Sequence, residues 1–292
     1  MRERVFAAAK KVGYTPKLVR NAQTIGFVVK DFDQLTGNGH LQQVIQHLAR
    51  AVAEKSYTSD YIVFDRIEHA RRKHFDGLLA VGVTPDELTP FEHVLDKPLL
   101  HVCTRTHSGS DKTVTINGRH EVEIALEHLH WLKHKKIGLI LDSLDIPAMQ
   151  ERADVFAELA GAPKGVDVQD AIFCLDTHSP DQIAASLKAG GFTGAIFLAH
   201  QRPHRLVTAL KQIARFHIPR DFSLIAVDAP EKNTGIEPAL TSIGLPIQAM
   251  ADAAVKNVIS LARGNDLEKK ARLILTSELI VRDSTGPCLA EN

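Results

Sequence analysis

From Thr24 onward the chain alternates short, almost wholly apolar runs with longer stretches in which apolar residues recur every three or four positions. The runs TIGFVV (24–29), YIVF (61–64), GLLAV (77–81), PLLHV (98–102), TVTI (113–116), IGLIL (137–141), AIFCL (171–175), GAIFLA (194–199), SLIAVD (223–228) and ARLIL (271–275) predict strands. Most are continuous rather than alternating, the pattern of parallel strands covered on both faces. Between them, Leu41, Val44, Ile45, Leu48 and Val52 share one helical face. Val122, Ile124, Ala125, Leu126, Leu129 and Leu132 form a second, broader one, and Leu206, Leu210, Ile213 and Ala214 a third.

Strand–helix–strand units repeated in this way give right-handed crossovers and open, doubly wound sheets. The strands are too many for one comfortable sheet, whereas two sheets of about five or six strands suit the length. No Ser/Gly/Pro-rich linker cuts the chain in two. Its absence predicts two lobes joined by several short crossings, with a cleft between them. Ligands of open α/β sheets bind beyond the carboxyl ends of the strands, so two facing sheets would share one site.

Composition narrows the class. At 292 residues the chain can bury two cores. Its 44% hydrophobic and 24% charged residues are those of a soluble globular protein. No apolar run approaches the ~20 residues of a membrane-spanning helix. The start, MRERVFAAAKKVGY, is charged and amphipathic, unlike a secretory signal, so a cytoplasmic location is expected. Cys103, Cys174 and Cys288 match no metal spacing and read as reduced thiols. Lys plus Arg number 35 and Asp plus Glu 35, so the bulk of the chain is no phosphate-gripping surface. Residues 1–20 differ: Arg2, Arg4, Lys10, Lys11, Lys17 and Arg20 face a single acid, Glu3, which suggests an interaction arm.

Motif chemistry is sparse. His130 and His134, like His200 and His204, are four apart, but no Cys or carboxylate completes a ligand set, so no metal is expected. TGNGHL (36–41) lacks the spacing of a phosphate loop and reads as a turn opening a helix. No GxSxG, HExxH or Cys–His context marks an enzyme, and no cofactor is expected.

Several segments together resemble the LacI/GalR transcription repressors. RERVFAAAKKVGYTPK (2–17) is similar to the family's last headpiece helix, and TIGFVV (24–29) to its first effector-domain strand. FDGLLAVG (75–82), HLHWLKHKKIGLI (128–140), IPRDFSLIAVD (218–228), PALTSIGLPI (238–247) and SELIVRDST (277–285) follow in the family's order, although Lys133 replaces a usual Gly. The resemblance implies a periplasmic-binding-protein-like type I fold: α/β, two doubly wound parallel-sheet lobes, three crossings. It divides the chain into a headpiece and hinge remnant (1–23), an N-terminal lobe (24–134 plus 246–264) and a C-terminal lobe (135–245 plus 265–292).

Carried onto this sequence, the family's effector Arg falls at Arg152, ahead of Val155-Phe156, and its effector Asp at Asp228. Read without the family, Arg152 is a solvated helix arginine beside Glu151, and Asp228 a cap after a strand. Asn117 stands where a family Asp meets sugar hydroxyls; a strand-end turn is its plain reading. His200-Gln201 replaces a frequent Asn-Asp, with His200 either a ligand contact or a loop histidine. Leu245 replaces a polar contact, and Asp33 is a further candidate at the mouth of the first lobe.

The resemblance implies a homodimer or tetramer that senses a small molecule, such as a galactoside-like sugar, and controls operator DNA. The chain begins inside the third headpiece helix, so the resemblance implies a truncated helix-turn-helix, with Arg2, Arg4 and Lys17 as its remaining DNA contacts. A solute-binding protein of a sugar transporter, or a headless sensor, is the alternative of the same fold.

Overall fold

The computed structural model describes residues 23–31, 40–91, 95, 97–104, 112–160, 168–199, 203–228, 236–264 and 272–289, with the backbone alone for 69–72 and 228. These residues form twelve strands in two six-stranded sheets. The first sheet holds β1 (Thr24–Val29), β2 (Thr58–Val63), β3 (Gly77–Val81), β4 (Leu99–Val102), β5 (Thr113–Ile116) and β11 (Leu273–Leu275). The second holds β6 (Ile137–Leu141), β7 (Ile172–Cys174), β8 (Gly194–Phe197), β9 (Ser223–Asp228), β10 (Thr241–Gly244) and β12 (Glu278–Ile280). Their orders are β11-β5-β4-β3-β1-β2 and β12-β10-β9-β8-β6-β7, the same winding twice. All pairings are parallel except β10 with β12.

The α-helices are α1 (His40–Glu54), α2 (Pro85–Leu88), α3 (Gly118–Trp131), α4 (Pro147–Leu159), α5 (Pro180–Ala189), α6 (Pro203–Gln212) and α7 (Ile247–Ala262). β1 shows why the strand runs are continuous. Ile25, Phe27 and Val29 enter the core that also holds Val44 and Leu48 of α1, while Val28 joins Phe75, Leu78 and Leu88. Successive side chains point to opposite faces, and both faces are covered. Gly26, on the second face, leaves room for its neighbours: a Cβ there would sit 2.6 Å from Leu78 Cδ2 and 2.9 Å from Phe75 Cδ1.

The three predicted helical stripes hold except at their ends, where Leu132 caps α3 and Ala214 follows α6. α6 ends at Gln212, so Ile213 falls in the following turn and is half exposed instead of buried. β10 and β12 were not among the predicted strands.

The chain passes between the sheets at Asn117, at Leu245-Pro246 and at residues 276–277. Each passage leaves from the carboxyl end of a strand. A strand entering from that end must run against its neighbours, which is why β12 is antiparallel. Two expected boundaries are corrected. α3 packs on α4, β8 and β12, so residues 118–134 belong to the second lobe. β11 pairs with β5, so 273–275 belong to the first lobe. α7 packs on α1, β3, β4 and β5.

Histidines tie several seams. His134, almost wholly buried, donates from Nε2 to the Gly286 carbonyl (3.0 Å) and accepts at Nδ1 from Thr193 (3.1 Å). The metal-pair alternative with His130 is thereby spent, since both ring nitrogens are used. His101 bonds the Val83 carbonyl through Nδ1 (3.0 Å), and His128 Nε2 meets Thr285 (3.0 Å). Burial pushes all three below the usual histidine range. The folded state therefore resists protonation that the unfolded chain accepts near pH 6.5. Stability is fully present above that pH and is lost as pH falls through it. The thermal midpoint, followed by circular dichroism, is expected to fall by several degrees from about pH 7.5 to about pH 5.5; an unchanged midpoint would contradict this linkage.

Candidate functional site

The facing carboxyl ends of the two sheets form the site, and the charge at its centre comes from α3 and α4. Asn117 caps α3: its Oδ1 accepts from the His120 N–H (3.2 Å), and its own N–H donates to the Leu275 carbonyl (2.8 Å). One residue thus starts the helix of one lobe while bonded to the last strand of the other. Asn117 is thus an extended helix cap at the crossing, where its plain reading was a strand-end turn.

One turn into α3, Glu121 is wholly buried, and Arg152 of α4 is 8% exposed. Arg152 Nε donates to Glu121 Oε2 (2.8 Å) and Nη1 to the Ala148 carbonyl (2.8 Å). Its stem lies over Gly118, where a Cβ would stand 3.6 Å from Arg152 Cγ and Cζ. The solvated-arginine reading of Arg152 is therefore overturned. Burial disfavours the guanidinium charge, but Glu121 outweighs burial and holds its pKa above the usual value. Glu121 Oε1 is buried without a hydrogen-bond partner. Sequence reasoning missed Glu121. The available signal was its place on the stripe of Val122, Ala125 and Leu129, where an acid is out of character.

Across the cleft the first lobe contributes His40, at the start of α1, and Cys103, just past β4. Cys103 holds a left-handed backbone (φ 57°), uncommon for a residue with a side chain. Burial pushes its thiol up to about 12, with Arg152 opposing and Glu121 assisting. Burial, then Arg152, pushes His40 down to about 4. The two lobes thus meet electrostatically around Arg152.

Of the other predicted residues, Asp228 ends β9 with its backbone paired to Gly244, at the carboxyl edge of the second sheet. Leu245 is buried in the second crossing. Asp33, His200 and Gln201 lie outside the described residues, as do Arg2, Arg4 and Lys17. No group of three His, Cys, Asp or Glu side chains suited to a metal occurs among the described residues. No described helix is long and apolar enough to cross a membrane.

Residues 126–285 match the family described as "Periplasmic binding protein-like domain". The chain belongs to this family. Among relatives of this periplasmic-binding-protein-like chain, the NTD biosynthesis operon regulator NtdR of Bacillus subtilis (strain 168) is 24% identical, over 97% of the chain and 90% of NtdR. The HTH-type transcriptional regulator AscG of Escherichia coli (strain K12) is 22% identical, over 97% and 89%. Two solved structures share the fold of this periplasmic-binding-protein-like chain. The transcriptional regulator CelR–cellobiose complex superposes with a TM-score of 0.76 at 20% identity, covering 97% of the chain and 90% of CelR. The Lac repressor dimer bound to operator and the anti-inducer ONPF gives 0.77 at 15% identity, covering 98% and 90%. The LacI/GalR resemblance read from the sequence agrees with these relatives, which are regulators and not enzymes.

The buried pair yields a direct test. Removing one partner strands a buried charge, so Glu121→Leu is expected to cost ~3–5 kcal/mol in urea unfolding. The double variant Glu121→Leu/Arg152→Met should cost less than Glu121→Leu alone, because no charge remains unpaired. A double variant less stable than Glu121→Leu would contradict the pairing.

Proposed function

We propose that this chain is the effector-sensing part of a LacI-type transcriptional repressor. The observation that carries the reading is the cleft itself: two identically wound sheets face each other at their carboxyl ends, with Arg152 buried at a three-stranded hinge. A polyhydroxylated ligand needs charge-assisted hydrogen bonds in a largely dry cleft. Arg152 and the unpartnered Glu121 Oε1 are a donor and an acceptor of that kind, with Asn117 at the crossing and Asp228 on the facing edge. Asp33 and His200 complete the proposed contacts.

A sugar is the ligand class this set suits, and the match to a fold also seen in a cellobiose complex supports it. Closure would change the angle between lobes. In a dimer such a change re-spaces two DNA-binding headpieces relative to half-sites about one helical turn apart. Arg2, Arg4 and Lys17 belong to that DNA-facing end, and the protein would act in the cytoplasm. The relatives named as HTH-type regulators over most of the chain support this assignment over a transporter's binding protein.

The test is a thermal-shift screen over mono- and disaccharides, followed by genomic fragment binding by the native protein with and without the hit. A true ligand at about a hundred times its Kd should stabilise the chain by about 2.7 kcal/mol. That increment is expected to vanish in Arg152→Met and in Asp228→Asn, each compared with its own ligand-free midpoint. An undiminished shift in both variants removes these residues from the site. Failure of the hit to change DNA binding in either direction removes the regulatory reading.

A further inference from the structure

Three soft or borderline donors meet at the first-lobe wall of the cleft. Cys103 Sγ stands 3.7 Å from Met250 Sδ and 3.9 Å from His40 Nε2. They come from separate elements: the end of β4, the first turn of α7 and the start of α1. Met250 is wholly buried, and Cys103 holds a left-handed backbone. We propose that Cys103, His40 and Met250 form a three-coordinate site for a soft monovalent cation, Cu(I) or its analogue Ag(I).

Geometry is the first argument. A trigonal centre with metal–sulfur bonds of about 2.3 Å and a metal–nitrogen bond of about 2.0 Å spans roughly 4.0 Å between sulfurs and roughly 3.7 Å from sulfur to nitrogen. The two edges seen, 3.7 and 3.9 Å, differ from these by a few tenths of an ångström. The backbone conformation of Cys103, uncommon for a residue with a side chain, is of the kind that clusters where a side chain must be aimed.

Chemistry selects the ion. Thiolate and thioether sulfur favour soft cations, and a thioether is a poor ligand for zinc, calcium or magnesium. Binding replaces the proton on Cys103: the S–H bond breaks, a sulfur–metal bond forms, the proton goes to solvent, and no electron is transferred. A monovalent ion on one thiolate, with a neutral imidazole and a thioether, leaves a neutral complex. Neutrality matters here, because burial disfavours net charge and the Arg152 guanidinium already acts on both His40 and Cys103. A divalent ion would add a positive charge beside that guanidinium. The proposal does not depend on sugar or DNA binding.

The test titrates the full chain anaerobically with Cu(I), in a background of Cys174→Ala and Cys288→Ser, against a colorimetric Cu(I) chelator. One tight equivalent is expected, with sulfur and nitrogen neighbours in X-ray absorption. Cys103→Ser should abolish it, and Met250→Leu, which nearly conserves volume, should weaken it at least tenfold. His40→Gln should do the same. Retention of wild-type affinity in both Met250→Leu and His40→Gln would overturn the site and leave an ordinary thiol. Equal affinity for Zn(II) would overturn the soft-cation assignment. A circular dichroism spectrum for each variant separates loss of ligand from loss of fold. If Cys103→Ser misfolds, the affinities of Met250→Leu and His40→Gln decide the site.

Discussion

Parallel pairing sends every carboxyl end of a sheet to the same edge, and that constraint organises the rest of this molecule. A chain that must visit both sheets more than once has to leave and re-enter at those edges. The crossings at Asn117, Leu245-Pro246 and 276–277 all lie there. The same rule forces β12 against the grain of its sheet, places α7 back over the first lobe, and concentrates loop-borne chemistry between the lobes. The cleft follows from the winding; the side chains decide only what it accepts.

Within that frame the Glu121–Arg152 pair is the most consequential contact. Taking both charges out of water costs several kcal/mol per ion, and their mutual attraction returns it only because the geometry is close and the guanidinium also reaches Ala148. Such a pair adds little net stability but fixes where a charge stands. Arg152 then acts on the facing wall, adding to the burial that holds His40 neutral and opposing the burial effect on Cys103. A helix cap at Asn117 begins the same turn that carries Glu121, so the crossing and the charged pair share one piece of rigid backbone.

Much of this was legible in the sequence. Five strands, at 24–29, 77–81, 113–116, 137–141 and 223–228, have the bounds that their apolar runs predicted. Buried parallel strands carry their signal on both faces, so nothing dilutes it. β10 and β12 carry less: TSIG is half polar, and ELI is half exposed along an edge. The stripe on α3 predicted a helix but not its owner, because an amphipathic face records that it is covered and not by which sheet. Arg152 came from resemblance, while its partner Glu121 did not. A hydrogen-bond partner in another helix leaves no spacing in the sequence, and only the misplaced acid on an apolar stripe pointed to it.

The return of α7 and β11 to the first lobe has a consequence for how the protein is made. On the ribosome, β1 through β5 emerge early, yet the helix that covers β3, β4 and β5 and packs on α1 is translated only after the whole body of the second lobe. Until then Ile25, Phe27 and Leu48 lack the apolar partners Met250, Ala254 and Val258, with which they share one core. The second lobe in turn waits for β12 to close its edge. Neither half can finish during synthesis, so the nascent chain carries an uncovered hydrophobic face for most of its translation. Protection of that face by a chaperone, or rapid translation through residues 247–280, would govern the yield of folded protein.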